Sequence, residues 1–468
     1  MLRKILLIFS GNAAASLFLF ARNLLIARLV PVEDYGIAAT FAVAMAAVEM
    51  ASQLGLQQLI VQAREGNDPE FQAALQGFQV LRGVLSGLVL FFAAGAIAEF
   101  LRIPDVAWAY QVMALVPVLH ALQHFDLHRL QREMRFLPMV LSGAVPALLS
   151  LLAVWPLTVW FGDFRVMLFA LVVQAVLMAA VSHILADRPY RLSLDSAIIR
   201  QALSFGWPLL INGFLLFAVF HGDKIIVGRE LGMEALALFS MGVTITLTPT
   251  LVMAKSNQNF FLPQLSRLAK DEDAAPFRAL SQAMLQAALL NGAVLVVAVI
   301  AFGPLVIATV LGEKYADLVP LLVLFAVQQA LRVFKTGPNT IALSRGLAIN
   351  AMISNLVRVA SLPIAWWVVV NQGADVVTLL WIAIVAEALA FGVALGQGIL
   401  QFSLPVRQSL PAMAGAALIL SFALIFGSTP LLVDLGIWAV LGFALLLILL
   451  VATMPDLRRH ILVREWKQ

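Results

Sequence analysis

The chain has 468 residues, of which 62% are hydrophobic and 12% are charged. Soluble domains carry about 45–50% apolar and about 25% charged residues, so lipid has to cover part of this apolar surface. The absence of cysteine excludes disulfides, thiolate metal sites and cysteine nucleophiles. The net charge is +4, yet no basic run is long enough to indicate nucleic-acid binding. Composition therefore predicts an all-α integral membrane protein.

About fourteen apolar segments are long enough to cross a bilayer, which takes about 20 residues each. Arg3, Lys4 and the apolar residues after them resemble a signal peptide, but the apolar pattern continues to Val30, which favours a first spanning helix. The predicted helices cover 5–30, 36–62, 75–99, 107–127, 137–161, 164–186, 201–226, 235–257, 278–310, 317–340, 346–370, 375–400, 410–427 and 432–453.

Loop charge predicts the orientation of these helices. If the N-terminus is cytoplasmic, most of the lysines and arginines between the helices and at the two ends fall on the cytoplasmic side. The opposite loops are short and lean acidic. By the positive-inside rule, we expect both termini in the cytoplasm.

The chain also repeats itself. The segment Ala27–Glu33 is similar to Gly228–Glu234, and Trp155 aligns with Trp366. Six helices are an even number, so two such repeats have the same orientation and are related by an axis along the membrane normal. We therefore predict an N-terminal lobe of helices 1–6 over 1–190, a C-terminal lobe of helices 7–12 over 191–402, and helices 13–14 with a cytoplasmic tail over 403–468.

Several predicted helices carry polar residues at helical spacing, in stripes along one face. Ionisable groups at membrane depth usually face a cavity or a charged partner. Hydrogen bonding between helices and snorkelling to the interface are the alternatives. The stripes are Glu49, Gln53 and Gln57; Gln328, Arg332, Lys335 and Asn339; and Asn350, Ser354, Arg358 and Ser361.

Basic groups outnumber acids at depth, which favours an anionic substrate. Arginine keeps its charge and donates two parallel hydrogen bonds to a phosphate or carboxylate. Glu49 and Glu387, the acids deep in helices, are candidates for ion coupling or for ion-pair partners of an arginine. The candidate residues for substrate binding in a cavity are Arg22, Asn23, Arg82, Lys255, Arg332 and Arg358.

Signals for a catalytic or metal site are weak. His120, His124 and His128 recur at a spacing that imitates a metal-binding helix face, but no carboxylate at depth completes such a site. We predict no metal and no cofactor. The chain has no G-x-x-x-x-G-K-[ST] run, so it does not hydrolyse ATP by a P-loop, and we expect an ion gradient to supply the energy.

Five short segments resemble one known family in chain order. They are Ala27–Gly36, Leu54–Gln62, Leu130–Phe136, Asp223–Gly232 and Leu262–Leu268. Together they are similar to the polysaccharide-transport branch, with its Wzx-type oligosaccharide flippases, of the multidrug/oligosaccharidyl-lipid/polysaccharide (MOP) exporters. The resemblance covers the first twelve predicted helices. It departs at 235–239, where the glycine–tyrosine pair common in the family is absent.

The resemblance implies two six-helix lobes around a central cavity that opens alternately to each side, with helices 1, 2, 7 and 8 lining it. It implies a flippase in the bacterial inner membrane, and not an enzyme, that moves an undecaprenyl-pyrophosphate-linked oligosaccharide to the periplasmic leaflet for exopolysaccharide, O-antigen or capsule assembly. The implied partners are this lipid-linked glycan, the bilayer, and glycan polymerase and export machinery.

Two other functions stay open. An antiporter for drugs or cations, of the multidrug (MATE-like) branch of the same superfamily, is the first, although organic cations favour acids in the cavity and basic residues predominate here. A membrane glycan polymerase or ligase is the second, although such enzymes need a large external loop with catalytic groups and every predicted external loop is short.

Overall fold

The computed structural model describes residues 2–52, 54–269, 274–402, 404, 406–426 and 437–459, with the side chains of 2–10, 51, 274, 402 and 437–441 excepted. These residues form helices and connecting turns, with no strand among them. The helices are α1 Leu2–Leu29, α2 Val32–Ser52, α3 Leu56–Gln62, α4 Pro69–Phe100, α5 Ala107–Met113, α6 Leu115–Ala121, α7 Asp126–Arg132, α8 Leu137–Trp160, α9 Arg165–Ile184, α10 Ser196–Ile226, α11 Met233–Leu268, α12 Ala274–Val306, α13 Leu322–Ser344, α14 Ile349–Gln372, α15 Val376–Phe402, α16 Leu410–Phe426 and α17 Ile437–Ala452.

The predicted all-α membrane class is confirmed. Among the described residues, nine helices are long and apolar enough to span a bilayer, and a bent pair over 104–132 makes a tenth. The total of fourteen stays a prediction. Outside the described residues lie Gln53, which belongs to one predicted polar stripe, and 427–436 and 460–468, on which part of the predicted topology depends.

The chain divides into two compact units, Met1–Ala237 and Leu238–Gln468. The first unit includes α10, whose side chains pack along α2. The sequence repeat placed the lobe boundary at 190, before α10; that boundary, and the parallel relation of the two lobes, stay predictions.

The second predicted helix, 36–62, is broken in the structure. It ends as α2 at Ser52 and resumes as α3 after Gly55, which has a φ of 64°. This left-handed conformation is strained for residues with a Cβ and open to glycine. The Leu54–Gly55–Leu56 motif therefore marks a turn within the first unit.

The fourth predicted helix, 107–127, is also broken, and α5, α6 and α7 replace it. Pro117 has no N–H to donate to Met113, which is the last residue of α5. A second break follows Ala121, and the segments on its two sides bend by 44°. The side chains at 120, 124 and 128 therefore do not share the single helix face that their spacing suggested.

An apolar cluster lies around the first break. It brings α3 together with α4, with the start of α7 and with α10, so that the turn at Gly55 is packed on several sides. Its buried members are Leu54, Leu56, Leu59, Ile60, Phe71, Leu75, Phe78, Phe125 and Ala202.

In the second unit, α13 occupies the centre. Nearly all of its side chains are buried, and it packs along α12 and α15, while α14 packs along α15. The two polar stripes predicted on α13 and α14 therefore lie within a helix bundle, where their polar groups need partners on neighbouring helices.

Gly36 provides a test of the packing within the first unit. A Cβ at this position of α2 would lie 1.8 Å from the carbonyl oxygen of Met233, whereas a Cβ at Gly143 of α8 would meet nothing within 4 Å. Gly36→Ala should therefore destabilise the protein by about 1–3 kcal/mol, the usual cost of overpacking. Gly143→Ala is the matched control. Thermal unfolding of both purified variants checks the prediction, and equal melting temperatures would contradict it.

Candidate functional site

A polar cavity of about 490 Å³ lies within the first unit. Its wall is formed by the C-terminal end of α2, by α3, by the middle of α4, and by α6, α7 and one residue of α9. Two of the predicted site residues, Glu49 and Arg82, line it together. Gln57 and Gln58 are exposed at its edge, so water reaches the cavity from the side of α3.

Arg82 lies near the middle of α4, a helix of 32 residues. Its position is about 20 Å from Pro69, given a rise of about 1.5 Å per residue. Its Nη1 donates to the carbonyl oxygen of Ser52 at 2.6 Å. That carbonyl is one of the last in α2, where the helix dipole is negative and the carbonyls lack intrahelical donors. The Nε of Arg82 is buried and has no acceptor in the described part of the chain.

Glu49 faces His120 across the cavity. The Nδ1 of His120 lies 3.2 Å from Oε1 of Glu49, and their side chains are 29% and 56% exposed. Both side chains are therefore open to the cavity. His128 lines the same cavity, and its Nδ1 has no hydrogen-bond partner among the described residues.

Arg22 and Asn23 lie outside the lining of this cavity. Arg22 is 5% exposed, and its Nη1 donates to the Oγ of Ser150 at 3.2 Å and to the Oε1 of Gln174 at 2.5 Å. The guanidinium therefore connects α1 with α8 and α9. The Oδ1 of Asn23 is buried without a hydrogen bond from any described residue.

In the second unit, Glu387 gathers three basic side chains. Its Oε1 accepts from Nη2 and Nε of Arg332 at 2.8 and 3.0 Å, and its Oε2 accepts from Nζ of Lys335 at 2.9 Å. The Nε of Arg358 lies 3.6 Å from Oε1. The carboxylate is 0% exposed and Arg358 is 1% exposed. We call these four residues the Glu387 cluster.

The Glu387 cluster explains the two polar stripes. Arg332 and Lys335 reach from α13 to α15, and Arg358 reaches there from α14. Further along α14, Ser354 accepts from Asn339 at 3.3 Å and Asn350 donates to Gln401 at 2.8 Å. These members of the stripes thus bond to neighbouring helices, and whether the stripes also contact substrate stays a prediction. Lys255, the remaining candidate, is exposed on α11.

A polar stripe on α4 was missed at the sequence level. Gln72, Gln76, Gln79 and Arg82 follow one another at intervals of three or four residues, which is the signal that would have found it. Gln76 and Gln79 donate to the carbonyl of Ala121 at 3.4 and 3.0 Å, and Gln76 also accepts from the N–H of Phe125 at 2.7 Å. The stripe therefore supplies hydrogen-bond partners for backbone groups at the break between α6 and α7.

The segment Leu130–Phe136 has a related task. Its Arg132 donates to the carbonyls of Ile60, Val61 and Ala63 at the end of α3, the contact to Val61 at 3.1 Å. Arg129 binds Asp126 at 2.5 Å, and Arg135 pairs with Asp187. These arginines bond the end of α3 and join loops of the first unit, so the segment stabilises the fold around them.

Comparison with known proteins decides the family. The family model described as "Polysaccharide biosynthesis protein" matches residues 25–320 of the chain, more than half of its length. The chain belongs to this family. The resemblance noted in the five sequence motifs is therefore confirmed at the level of the family.

A curated relative and two solved structures are similar to the chain. The "Teichuronic acid biosynthesis protein TuaB" of Bacillus subtilis (strain 168) is 20% identical over 312 residues, which cover 64% of this chain and 62%, less than two thirds, of that protein. The structure titled "Lipid II flippase MurJ, inward closed conformation" superposes with a TM-score of 0.72 at 12% identity, covering 98% of this chain and 100% of that one. An inward-facing multidrug resistance MATE family transporter of the MOP superfamily gives 0.66 at 15% identity, covering 83% and 94%. At these identities the structures show a shared fold.

We expect substitution of Glu387 to lower the stability of the protein. Glu387→Gln leaves three basic groups around a neutral amide, and breaking a buried ion pair costs about 3–5 kcal/mol. The variant should therefore have a lower level in the membrane and a lower melting temperature. Glu49→Gln, at an exposed position, is the matched control. Normal abundance and stability of Glu387→Gln would show that the cluster does not stabilise the fold and would favour Glu387 as an ion-coupling residue.

Proposed function

We propose that this protein is a flippase that moves a lipid-linked oligosaccharide, with undecaprenyl pyrophosphate as the carrier, from the cytoplasmic to the periplasmic leaflet of the bacterial inner membrane, without converting it chemically. Membership of the family described as "Polysaccharide biosynthesis protein" supports a role in making polysaccharide. The shared fold with a lipid II flippase supports transport of a lipid-linked glycan. We further propose alternating access driven by an ion gradient and, as partners, a glycan polymerase and export machinery.

The observation that carries the proposal is the water-accessible cavity with Arg82 in its wall. Sugars and a pyrophosphate cannot enter hydrocarbon without losing their water, which is prohibitively costly. A cavity lined by amides, hydroxyls and a guanidinium replaces that water. The guanidinium of Arg82 lines this cavity and can donate a charge-assisted hydrogen bond to an oxygen of the headgroup.

The charge of the second unit supports the same substrate class. In the Glu387 cluster, three basic side chains, two of them arginines, surround one acid. Arginine side chains are suited to binding the oxygens of phosphate and carboxylate groups. We therefore keep Arg332 and Arg358 as candidate substrate contacts, alongside Arg22, Asn23 and Lys255.

Export of drugs or cations is the main alternative, since a MATE transporter has a similar fold. The cavity of the first unit does contain an acid, Glu49, but His120 faces it and Arg82 lines the same wall. An organic cation would meet Arg82 as a like charge in a site of reduced dielectric, which is unfavourable. The cavity thus favours an anionic headgroup.

Substitution of Arg82 tests the proposal. Arg82→Ala should reduce glycan export by roughly 10- to 100-fold, because a charge-assisted hydrogen bond is worth about 1.5–3 kcal/mol. Arg82→Lys should also impair export, since lysine keeps the charge but lacks the planar fork. Export is measured as surface glycan, normalised to the level of each variant in the membrane.

The exposed Arg64, in the turn after α3, gives the control variant Arg64→Ala, which should export normally. Normal export by Arg82→Ala at normal abundance would contradict a cationic cavity. A drop in abundance that accounts for the whole loss of export would instead assign Arg82 to capping α2.

Glu49 and His120 generate a prediction about coupling. If this pair takes up a proton during the cycle, Glu49→Gln should weaken gradient-dependent transport more than substrate binding, because the amide does not titrate. Transport into vesicles is measured across pH with and without an imposed gradient. Transport that keeps its full pH and gradient dependence in Glu49→Gln would remove this residue from coupling.

A further inference from the structure

A second cavity of about 360 Å³, separate from the polar one, lies in the first unit. We call it the Lys224 groove. It runs between α2, α4 and α10, and its wall is almost entirely aliphatic and aromatic. Its main lining residues are Val43, Ala44, Ala47, Ile97, Phe217 and Lys224.

The Lys224 groove lies between helix faces that suit contact with lipid. Phe92 of α4 is 79% exposed, and Phe214 of α10 is 52% exposed. Each lies about one helical turn before a lining residue of its own helix, Ala96 and Phe217 respectively. Both helices are apolar and long enough to span a bilayer. A hydrocarbon chain therefore has a continuous apolar path into the groove.

The polar contents of the groove are few. The hydroxyl of Thr40 is satisfied by the carbonyl of Ile37 at 2.6 Å and by the hydroxyl of Tyr110 at 2.5 Å. Lys224 is half-buried, and no hydrogen bond or ion pair in the described part of the chain involves its ammonium. An ammonium among apolar walls is favoured when an anion meets it.

Within the described residues, no ion pair joins an acid to Lys224. Glu230 is held by Arg102 at 3.0 Å and by Arg229 at 2.9 Å. Arg229 also donates to the carbonyl of Phe100 at 3.0 Å and stacks on its ring. These arginines are thus engaged, and Lys224 offers a single positive charge at the groove.

The groove has a polar end and an apolar end. Lys224 lies in the last turn of α10, which a π-helical turn continues to Leu231, and Phe100 ends α4, so this end of the groove is the one nearer to the helix termini. Phe217 lies about 10 Å from Lys224 along α10, given a rise of about 1.5 Å per residue. Ala47 lies about as far from Thr40 along α2. A headgroup at Lys224 would therefore have its chain running inward between the helices.

From this arrangement we propose that the Lys224 groove binds an anionic phospholipid, with its phosphodiester on the ammonium of Lys224 and one acyl chain along Ala44 and Ala47. One positive charge matches the single negative charge of a phosphodiester. A pyrophosphate carries more charge and needs more donors. The groove volume is at the lower end of ligand sites, which fits a single chain.

Native mass spectrometry of the purified full chain in detergent tests the proposal. The probes are phosphatidylglycerol and phosphatidylethanolamine with identical acyl chains. The unmodified protein should bind phosphatidylglycerol more tightly. Lys224→Gln should lose about tenfold in affinity for phosphatidylglycerol, the effect of one charge-assisted hydrogen bond, and little for phosphatidylethanolamine. Lys224→Arg should retain the preference.

The exposed Arg28 at the end of α1 gives the matched control Arg28→Gln, which should bind like the unmodified protein. Ala47→Phe fills the apolar end and should weaken binding of both lipids. Because this variant changes packing, the contribution of the acyl chain to binding is also measured on the unmodified protein. Glycerol phosphate, which has no acyl chain, should not bind there.

Three results would overturn the proposal. Lys224→Gln with an unchanged lipid preference would show that the ammonium only reaches towards the interface. Glycerol phosphate binding as tightly as the full lipid would remove the acyl chain from the site. An isoprenyl pyrophosphate that displaces phosphatidylglycerol from Lys224 at equal concentration would make the groove a site for the transported lipid.

Discussion

Backbone groups at a helix break inside a membrane have no water to bond with, so the protein has to supply partners for them. Two of the helix breaks in the first unit follow Ser52 and Ala121. A single polar stripe on α4 bonds backbone groups at both. Gln76 and Gln79 bond backbone groups after α6, and Arg82 donates to the carbonyl of Ser52. The polar cavity lies where these breaks and this stripe meet. The same side chains that permit broken helices therefore also make a hydrated site possible.

Charge at depth follows the same constraint. In the second unit, Glu387 neutralises part of the charge of Arg332, Lys335 and Arg358, and each of these groups lies on a helix that packs within the bundle. In the first unit, Arg22 has neutral partners on two other helices. The two arrangements differ in consequence. A neutral partner leaves the full charge of the arginine in place, whereas an ion pair lowers it and ties the helices together.

Composition and apolar periodicity sufficed to predict the membrane class and most helices, because lipid contact requires long apolar segments. They did not predict the breaks at Gly55 and Ala121, because the apolar pattern of the sequence runs through both positions. The side chains that bond the free backbone groups at a break come from other helices, and the pattern does not show them. The stripes on α13 and α14 were visible from spacing alone. That Glu387 joins both stripes was not, since it depends on how three helices pack.

The candidate site was predicted only in part for a related reason. The sequence indicates the depth of Glu49 and of Arg82 separately, and the fold brings both side chains to one cavity. The spacing of His120, His124 and His128 imitates a metal-binding helix face, but in the structure His120 and His128 line this cavity and His124 lies against His183 and Tyr190. Their roles in binding or coupling stay proposals.

The central claim is that the protein carries an anionic, lipid-linked glycan between leaflets. Its most direct test is translocation in proteoliposomes that contain the purified protein and undecaprenyl-pyrophosphate-linked oligosaccharide labelled on its sugar. A probe that cannot cross the bilayer then reports which leaflet holds the glycan. The account predicts movement faster than in protein-free vesicles, and faster still under an ion gradient. Equal rates with and without protein, in vesicles where the protein is folded and correctly inserted, would contradict it.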